Sequence, residues 1–266
     1  MKQLFVLLLL LGTVVAQGNE PATSSQSIPV DQENARKAQG AIDQAIQALG
    51  GQAYLNIQDI SQEGRSYSFH MGQPNSVGTL LWRFYKFPDK ERIEVTKKRD
   101  IILIFNGDQG YEITYKGTRK QDPKEIADYL RRRHFSLDWV LRKWLKEPGV
   151  ALFYEGPTVA EQKPVEQVTI MNASNEGVTL YLDSSTHLPV KKSYTWRDPI
   201  DKQRNTEDEV YDSYRPVQGV MAPFSVTRFY NGDMDNQRFL TSITINQNVS
   251  ESLFDATVST KPPNKK

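Results

Sequence analysis

Two acidic stretches hold the side chains best suited to chemistry. In "NTEDEVYDSY", Asn205 to Tyr214, the carboxylates of Glu207, Asp208, Glu209 and Asp212 crowd together. Two acids at a fixed gap are what a glycosidase sets on either side of the bond it cuts. On an extended strand Glu207 and Glu209 point one way and Asp208 the other. With no apolar cleft beside them in the sequence, ionised groups of this kind are expected on the hydrated face. The second stretch, "FYNGDMDNQRF" from Phe229 to Phe239, gathers Asn231, Asp233, Asp235 and Asn236 and invites the test for a calcium loop. Counting from Asp233, the third position is Asp235, but the fifth is Gln237, the sixth is Arg238 where glycine is needed, and the twelfth is Thr244 where a bidentate glutamate belongs. Asn231-Gly232, like Asn106-Gly107 earlier in the chain, instead reads as a hairpin dipeptide, because both central positions of a type I′ turn require positive φ.

Other catalytic apparatus is missing from the sequence. His70, His134 and His187 fall in different elements, and none stands in an H-E-x-x-H pattern. There is no G-x-S-x-G elbow and no G-x-x-x-x-G-K-[ST] phosphate loop. "ALGGQAY" is glycine-rich but follows a helix instead of a strand, which fails the dinucleotide context. Zero cysteines remove thiol nucleophiles, thiolate metal sites, disulfides and lipidation at an N-terminal cysteine together. No catalytic residue, metal or cofactor is therefore expected, and a hydrolase built on Glu207 and Glu209 stands as the enzymatic alternative.

The elements that must position any site follow from the pattern of the chain. Lys2, the apolar run Leu4 to Leu11 and small residues ending at Ala16 have the order of a secretory signal, with cleavage expected after Ala16. That run falls short of the ~20 apolar residues of a spanning helix. The mature protein is thus expected in the periplasm or secreted, without a transmembrane segment. Residues 17–30 read as a flexible linker, 31–258 as a single domain and 259–266 as a disordered tail. A formal net charge of +1 gives no electrostatic case for nucleic acid as a partner.

A first helix should begin at Asp31 and carry one apolar stripe, Ala35, Ala38, Ile42, Ala45, Ile46 and Leu49, before Gly50-Gly51 ends it. From Ile60 the texture turns to alternating β-branched and aromatic residues, giving strands near 60–70, 78–87, 91–98, 100–106 and 110–116. Asp122 and Pro123 then start a helix reaching about Lys146. Strands resume near 150–161, 164–172, 177–183, 188–197, 205–214, 220–230 and 237–246. A long meander with two helices and no βαβ rhythm predicts a mainly β, α+β fold: a curved antiparallel sheet or incomplete β-barrel closed by two helices.

Alternation also assigns faces. Leu80, Trp82 and Phe84 share one side of their strand and Leu81, Arg83 and Tyr85 the other; Ile101, Leu103 and Phe105 form a similar set, as do Phe239, Thr241, Ile243 and Ile245. Leu80, Trp82, Phe84, Leu103 and Phe105 are taken as one apolar face and the expected lining of a ligand cavity. Arg131, Arg132 and Arg133, followed by His134, lie on the predicted helix as a solvated face or a docking surface for an acidic partner.

Five segments occur in a telling order: "ALGG" closing the first helix, "FPDKERIEV" from Phe87, "IFNGDQGY" from Ile104, "VTLYLDSSTHLPVKK" from Val178 and "YRPVQGVMAPFSVTRFYNG" from Tyr214. Together they resemble the outer-membrane lipoprotein-sorting family, LolA/LolB-like and akin to the envelope stress regulator RseB, over nearly the whole mature chain. The resemblance implies an incomplete antiparallel barrel closed by helices, with an apolar cavity for the acyl chains of a lipid or acylated protein cargo. An envelope sensor or adaptor that binds a protein partner is the alternative within the same fold. The matching motifs are turns and strand ends, so no ligand-contacting residue is carried over from the family.

Overall fold

The structure is a computed structural model that describes residues 30–257. The expected signal peptide, the tail from residue 259 and the linker up to its last residue lie outside the described residues. The helices α1 (Val30–Leu49) and α2 (Gln52–Leu55) come first. A first meander follows: β1 (Asp59–His70), β2 (Gln73–Pro74), β3 (Thr79–Lys86), β4 (Lys90–Val95), β5 (Ile101–Asn106), β6 (Gln109–Thr114) and β7 (Gly117–Lys120). Then α3 (Pro123–His134), α4 (Leu137–Arg142) and a 3-10 turn (Trp144–Lys146) lead into β8 (Ala151–Ala160), β9 (Lys163–Met171), β10 (Gly177–Asp183) and β11 (Pro189–Arg197). The second meander ends with β12 (Arg204–Val217), β13 (Val220–Tyr230), β14 (Asp233–Ile245) and a 3-10 turn at Glu251–Phe254.

All strands pair antiparallel in one 14-stranded sheet of order β7-β6-β5-β4-β3-β1-β14-β13-β12-β11-β10-β9-β8, with β2 joined to β1 alone. The two meanders meet where β1 pairs with β14, and β7 and β8 are left as edges, so the sheet stays open. Because those edges lie at opposite ends of the sheet, the segment that connects them must cross back over one face. α3 and α4 are that crossing, and they form a lid on the concave side. This is the curved antiparallel sheet closed by helices that the alternation predicts. No helix among the described residues is long and apolar enough to cross a membrane.

The lid is not one helix to Lys146. Asp122 caps α3 with a full capping box, accepting from the Lys124 amide while Glu125 reaches back. The helix then stops at Phe135 because Ser136 starts a new one, its hydroxyl accepting from the Trp139 amide at 3.2 Å. The break frees the Phe135 carbonyl, which accepts from Lys192 Nζ at 2.8 Å. α1 packs on β8 and β9. Its small residues Ala38, Ala41 and Ala45, with Ile42 and Leu49, let it sit close over Val168, Ile170, Val178, Leu180 and Leu182 in the main core.

Strand alternation is interrupted once where it matters. Between β1 and β14 the register jumps from Glu63↔Ser242 to Gly64↔Leu240, leaving Thr241 as an extra, bulged residue. Leu240, Ile243 and Ile245 therefore share the inner face, while Phe239 turns outward and is 45% exposed, so the expected set Phe239, Thr241, Ile243 and Ile245 does not hold together. Glycine at 64 permits the close approach: a Cβ there would stand 2.2 Å from the Phe239 carbonyl oxygen.

The two Asn-Gly hairpins differ. Asn231 and Gly232 occupy the central positions between Tyr230 and Asp233, both with positive φ, 50° and 88°. In the earlier hairpin Asn106 pairs with Gln109, so Gly107 and Asp108 are the central pair and positive φ is found at Gly107. A glycine at the first central position is the type II′ pattern, one residue on from the predicted turn.

Sequence patterning does not anticipate the last described segment. Residues 246–257 run over the outer side of β3 to β5. Asp59 fastens the start, accepting from the amides of Gln247 at 2.8 Å and Val249 at 3.3 Å. Arg92 Nη1 donates to the Leu253 carbonyl at 3.1 Å, and Phe254 is buried where the turn packs on β4 and β5.

Candidate ligand cavity

Under the lid, between α4, the end of α1 and the concave face, lies a cavity of about 180 Å³. One end is apolar, walled by Leu49, Ile57, Leu137, Val220, Ala222 and Ile245; the other carries Gln62, Arg83, Glu209, Tyr211 and Arg238. Strand register explains this mixed wall. Gln62 of β1 lies between Arg83 of β3 and Ile243 of β14, and Arg238 lies between Ser66 of β1 and Val226 of β13, which in turn faces Tyr211 of β12. All project inward because alternation keeps them on one face.

The charges around the cavity are mostly paired. Arg83 Nε meets Glu91 Oε1 at 2.5 Å, and Arg83 Nη1 donates to Gln62 Oε1 at 3.1 Å. Burial opposes ionisation of Glu91, but the Arg83 charge and hydrogen bond win and hold its carboxyl below the ordinary value. Glu209 accepts from Lys192 Nζ at 3.0 Å and from the Tyr211 hydroxyl at 2.9 Å. Burial pushes Glu209 up, yet Lys192, Arg238 and these hydrogen bonds bring it down to about 2. Arg228 Nε donates to Asp235 at 2.7 Å. On the lid, Tyr54 donates its hydroxyl to Asp138 at 2.9 Å, and burial followed by that carboxylate drives the tyrosine up.

Arg238 differs from these. Among the described residues its guanidinium has no hydrogen bond or ion pair, and burial together with Arg83 and Arg228 pulls its pKa down to about 10, against the smaller opposing influence of Glu209 and Glu91. Chemically, the wall offers a fixed cation and a greasy end, with no nucleophile held against a base. Among the described residues no group of three or more His, Asp or Glu side chains is gathered to hold a metal.

The sequence-predicted residues are placed as follows. Glu207 and Glu209 do not face water: both lie on the inner face of β12, because that strand runs beneath α3 and each acid finds a cation there. Glu207 is 3% exposed and accepts from Arg131 Nη2 at 2.8 Å. Leu80, Trp82 and Phe84 lie on the outer face, where Arg99 stands over the Trp82 ring at 4.7 Å and the Phe84 ring at 5.9 Å. Leu103 and Phe105 lie on the inner face, since the register pairs Trp82 with Glu94 and Glu94 with Ile102, leaving Leu103 opposite Ile93. Phe105 stacks on Tyr129 of α3, ring centroids 3.5 Å apart, beside a separate recess that Leu103 and Arg132 also line. The five expected lining residues are therefore split between faces, because alternation separates two sides of a strand without saying which side faces inward, and neighbouring strands were combined out of phase.

The arginines of α3 turn toward the protein. Arg131 binds Glu207 and Asp128 and lies 3.6 Å from the Trp196 ring centroid. Arg133 donates to the Gly107 carbonyl at 2.6 Å and the Asp89 carbonyl at 3.2 Å. Burial, then the charge of Arg228, pulls Arg132 below its ordinary value. His134 Nε2 sits 2.8 Å from Glu176 Oε2, while His70 and His187 fall elsewhere on β1 and in the β10–β11 turn. The residues missed by sequence reading are Gln62, Arg83 and Arg238. The signal available for two of them is a cation set among the apolar inward positions of a strand, as in Leu81, Arg83 and Tyr85.

No protein-family model and no curated protein matches the chain. Solved structures do resemble it. A DUF1329 family protein from Desulfovibrio piger is 10% identical with a TM-score of 0.58, over 83% of this chain and 98% of that one. A Vibrio parahaemolyticus domain named as an outer membrane lipoprotein-sorting protein gives 8% identity and a TM-score of 0.54, over 83% and 98%. A LolA superfamily protein from Nitrosomonas europaea gives 10% and 0.50, over 82% and 97%. Likeness at such identity is likeness of fold, and the fold is LolA-like.

Proposed function

We propose that this protein is an exported, periplasmic lipid- or lipoprotein-binding protein that carries acyl chains beneath its helical lid, a binding protein and not an enzyme. The observation that carries the reading is the cavity: it is walled at one end by aliphatic side chains of α1, α4, β13 and β14 and enclosed by a lid that the chain topology forces over the sheet. The LolA-like fold supports it. Each methylene moved from water into such a pocket contributes about 0.8 kcal/mol, so affinity grows with chain length.

At about 180 Å³ the cavity is smaller than the roughly 300–1,000 Å³ of a small-molecule site, so a full acyl chain enters only if the lid lifts. The lid is fastened by polar contacts that exchange with water when broken: Tyr54 to Asp138, Lys192 to the Phe135 carbonyl, Arg131 to Glu207 and Arg142 to the Ile57 carbonyl. Uptake and release then depend on the same hinge at Phe135-Ser136. An envelope adaptor role would need a docking surface other than Arg131, Arg132 and Arg133, whose side chains face the protein.

Ala222→Phe tests the reading, because it fills the apolar end from a strand position without touching the charged wall. We expect binding of the neutral probe N-phenyl-1-naphthylamine and of palmitoyl ligands to fall at least tenfold, with the far-ultraviolet circular dichroism spectrum retained. Unchanged binding by a folded variant would place the acyl chain somewhere other than this cavity.

A further inference from the structure

We infer that the cavity takes an acyl amphiphile with an anionic head, a carboxylate or a phosphate, and that Arg238 holds that head; this rests on the acyl-binding reading above. On the concave wall Arg83 is matched by Glu91, Lys192 by Glu209 and Arg228 by Asp235. Arg238 is a further cation that, among the described residues, has no hydrogen bond or ion pair; Glu209 and Glu91 act on it only at a distance, each held by its own cation, Lys192 and Arg83, and its strand neighbours Ser66 and Val226 carry no charge. Asp138 also lines the cavity, but it lies on the lid and takes the Tyr54 hydroxyl. A guanidinium kept partly out of water without an anion is costly, and an arriving carboxylate or phosphate removes that cost through a bidentate, charge-assisted contact.

A second donor stands on the same wall. Gln62 receives Arg83 on its amide oxygen at 3.1 Å, which leaves its amide nitrogen to donate toward the cavity. The tail direction is fixed by β14. From Arg238 the inner face continues through Leu240, Ile243 and Ile245 toward the apolar end. At ~3.3 Å per residue that path runs roughly 20 Å, enough for a long single chain. Head at Arg238 and tail along β14 is the one orientation that puts charge on charge and methylene on aliphatic.

The test is displacement of N-phenyl-1-naphthylamine from the full chain by three ligands sharing one tail: palmitic acid, palmitoyl lysophosphatidic acid and methyl palmitate. In the wild type the acids should displace the probe at concentrations about tenfold or more below the neutral ester, the worth of a charge-assisted hydrogen bond. Arg238→Met should weaken the acids by that factor and leave the ester unchanged, while Arg238→Lys keeps most of the preference. Loss confined to palmitic acid identifies a carboxylate head, and loss confined to the lysophosphatidic acid identifies a phosphate head. Equal weakening of acid and ester, or a wild type without preference for the acids, overturns the inference and leaves acyl binding standing. Failure of the wild type to bind the probe or any of the three ligands overturns the acyl reading beneath it. Should Arg238→Met not fold, the wild-type ratio of acid to ester decides alone.

Discussion

The two halves of the concave face share one sheet and one curvature but opposite chemistry. Under α1, strands β8 to β11 present Val168, Ile170, Val178, Leu180 and Leu182, sealed together with Trp144 in the main core. Under α3 and the start of α4, strands β1, β3 and β12 to β14 present Gln62, Arg83, Glu209, Arg228 and Arg238. In the first half Val168, Ile170, Val178 and Leu180 are 0% exposed, the close packing of a protein interior. The second carries buried ion pairs, Arg83 with Glu91 and Lys192 with Glu209, and the cavity opens on its strands beneath α4. Stability and ligand binding are thus separated along the sheet, not mixed through it.

That separation can be broken from the packed side. Trp144 is 0% exposed and makes ring contacts with Phe135 and His134. Trp144→Ala should cost about 3–5 kcal/mol, measured by urea unfolding, because the vacated volume cannot collapse under a helix fixed at both ends. If the cost were under about 1 kcal/mol, the packed half would not be the stabilising one. The charged half predicts a smaller effect that depends on pH. Glu209 is depressed from its ordinary 4.5 to about 2 on folding, so its contribution is present above about pH 4.5 and lost as pH falls toward 2. With roughly 3 kcal/mol at stake by linkage, the melting-temperature gap between wild type and Glu209→Gln should narrow over that window. A constant gap would mean that Glu209 is not held as an ion by Lys192 and Tyr211.

Much of the architecture was legible in the sequence. The apolar stripe of α1, the strands between Gly and Asn-Gly turns, and the cap at Asp122 each rest on local chemistry, and local chemistry is what a sequence displays. Three features were not legible, for one shared reason. The Thr241 bulge, the inward burial of Glu207 and Glu209, and the outer cover of residues 246–257 over β4 and β5 all depend on what lies across the sheet, which periodicity does not report. A strand reading separates two faces; only the crossing of α3 from the β7 edge to the β8 edge decides which of them is inside. Thus Leu80, Trp82 and Phe84 looked as suitable for a cavity as Leu81 and Tyr85, and Arg238 looked like a failed calcium-loop position when it is a cation of the wall with no ion pair among the described residues.

Acyl chains are proposed to occupy the cavity beneath α4, on the charged half of the face. Mass spectrometry of organic extracts from the protein purified without detergent from its native host tests this. Stoichiometric acyl species are expected, enriched in those with acidic heads and lost from Ala222→Phe. Extracts free of acyl species, or the same species at the same level from the filled variant, would contradict it.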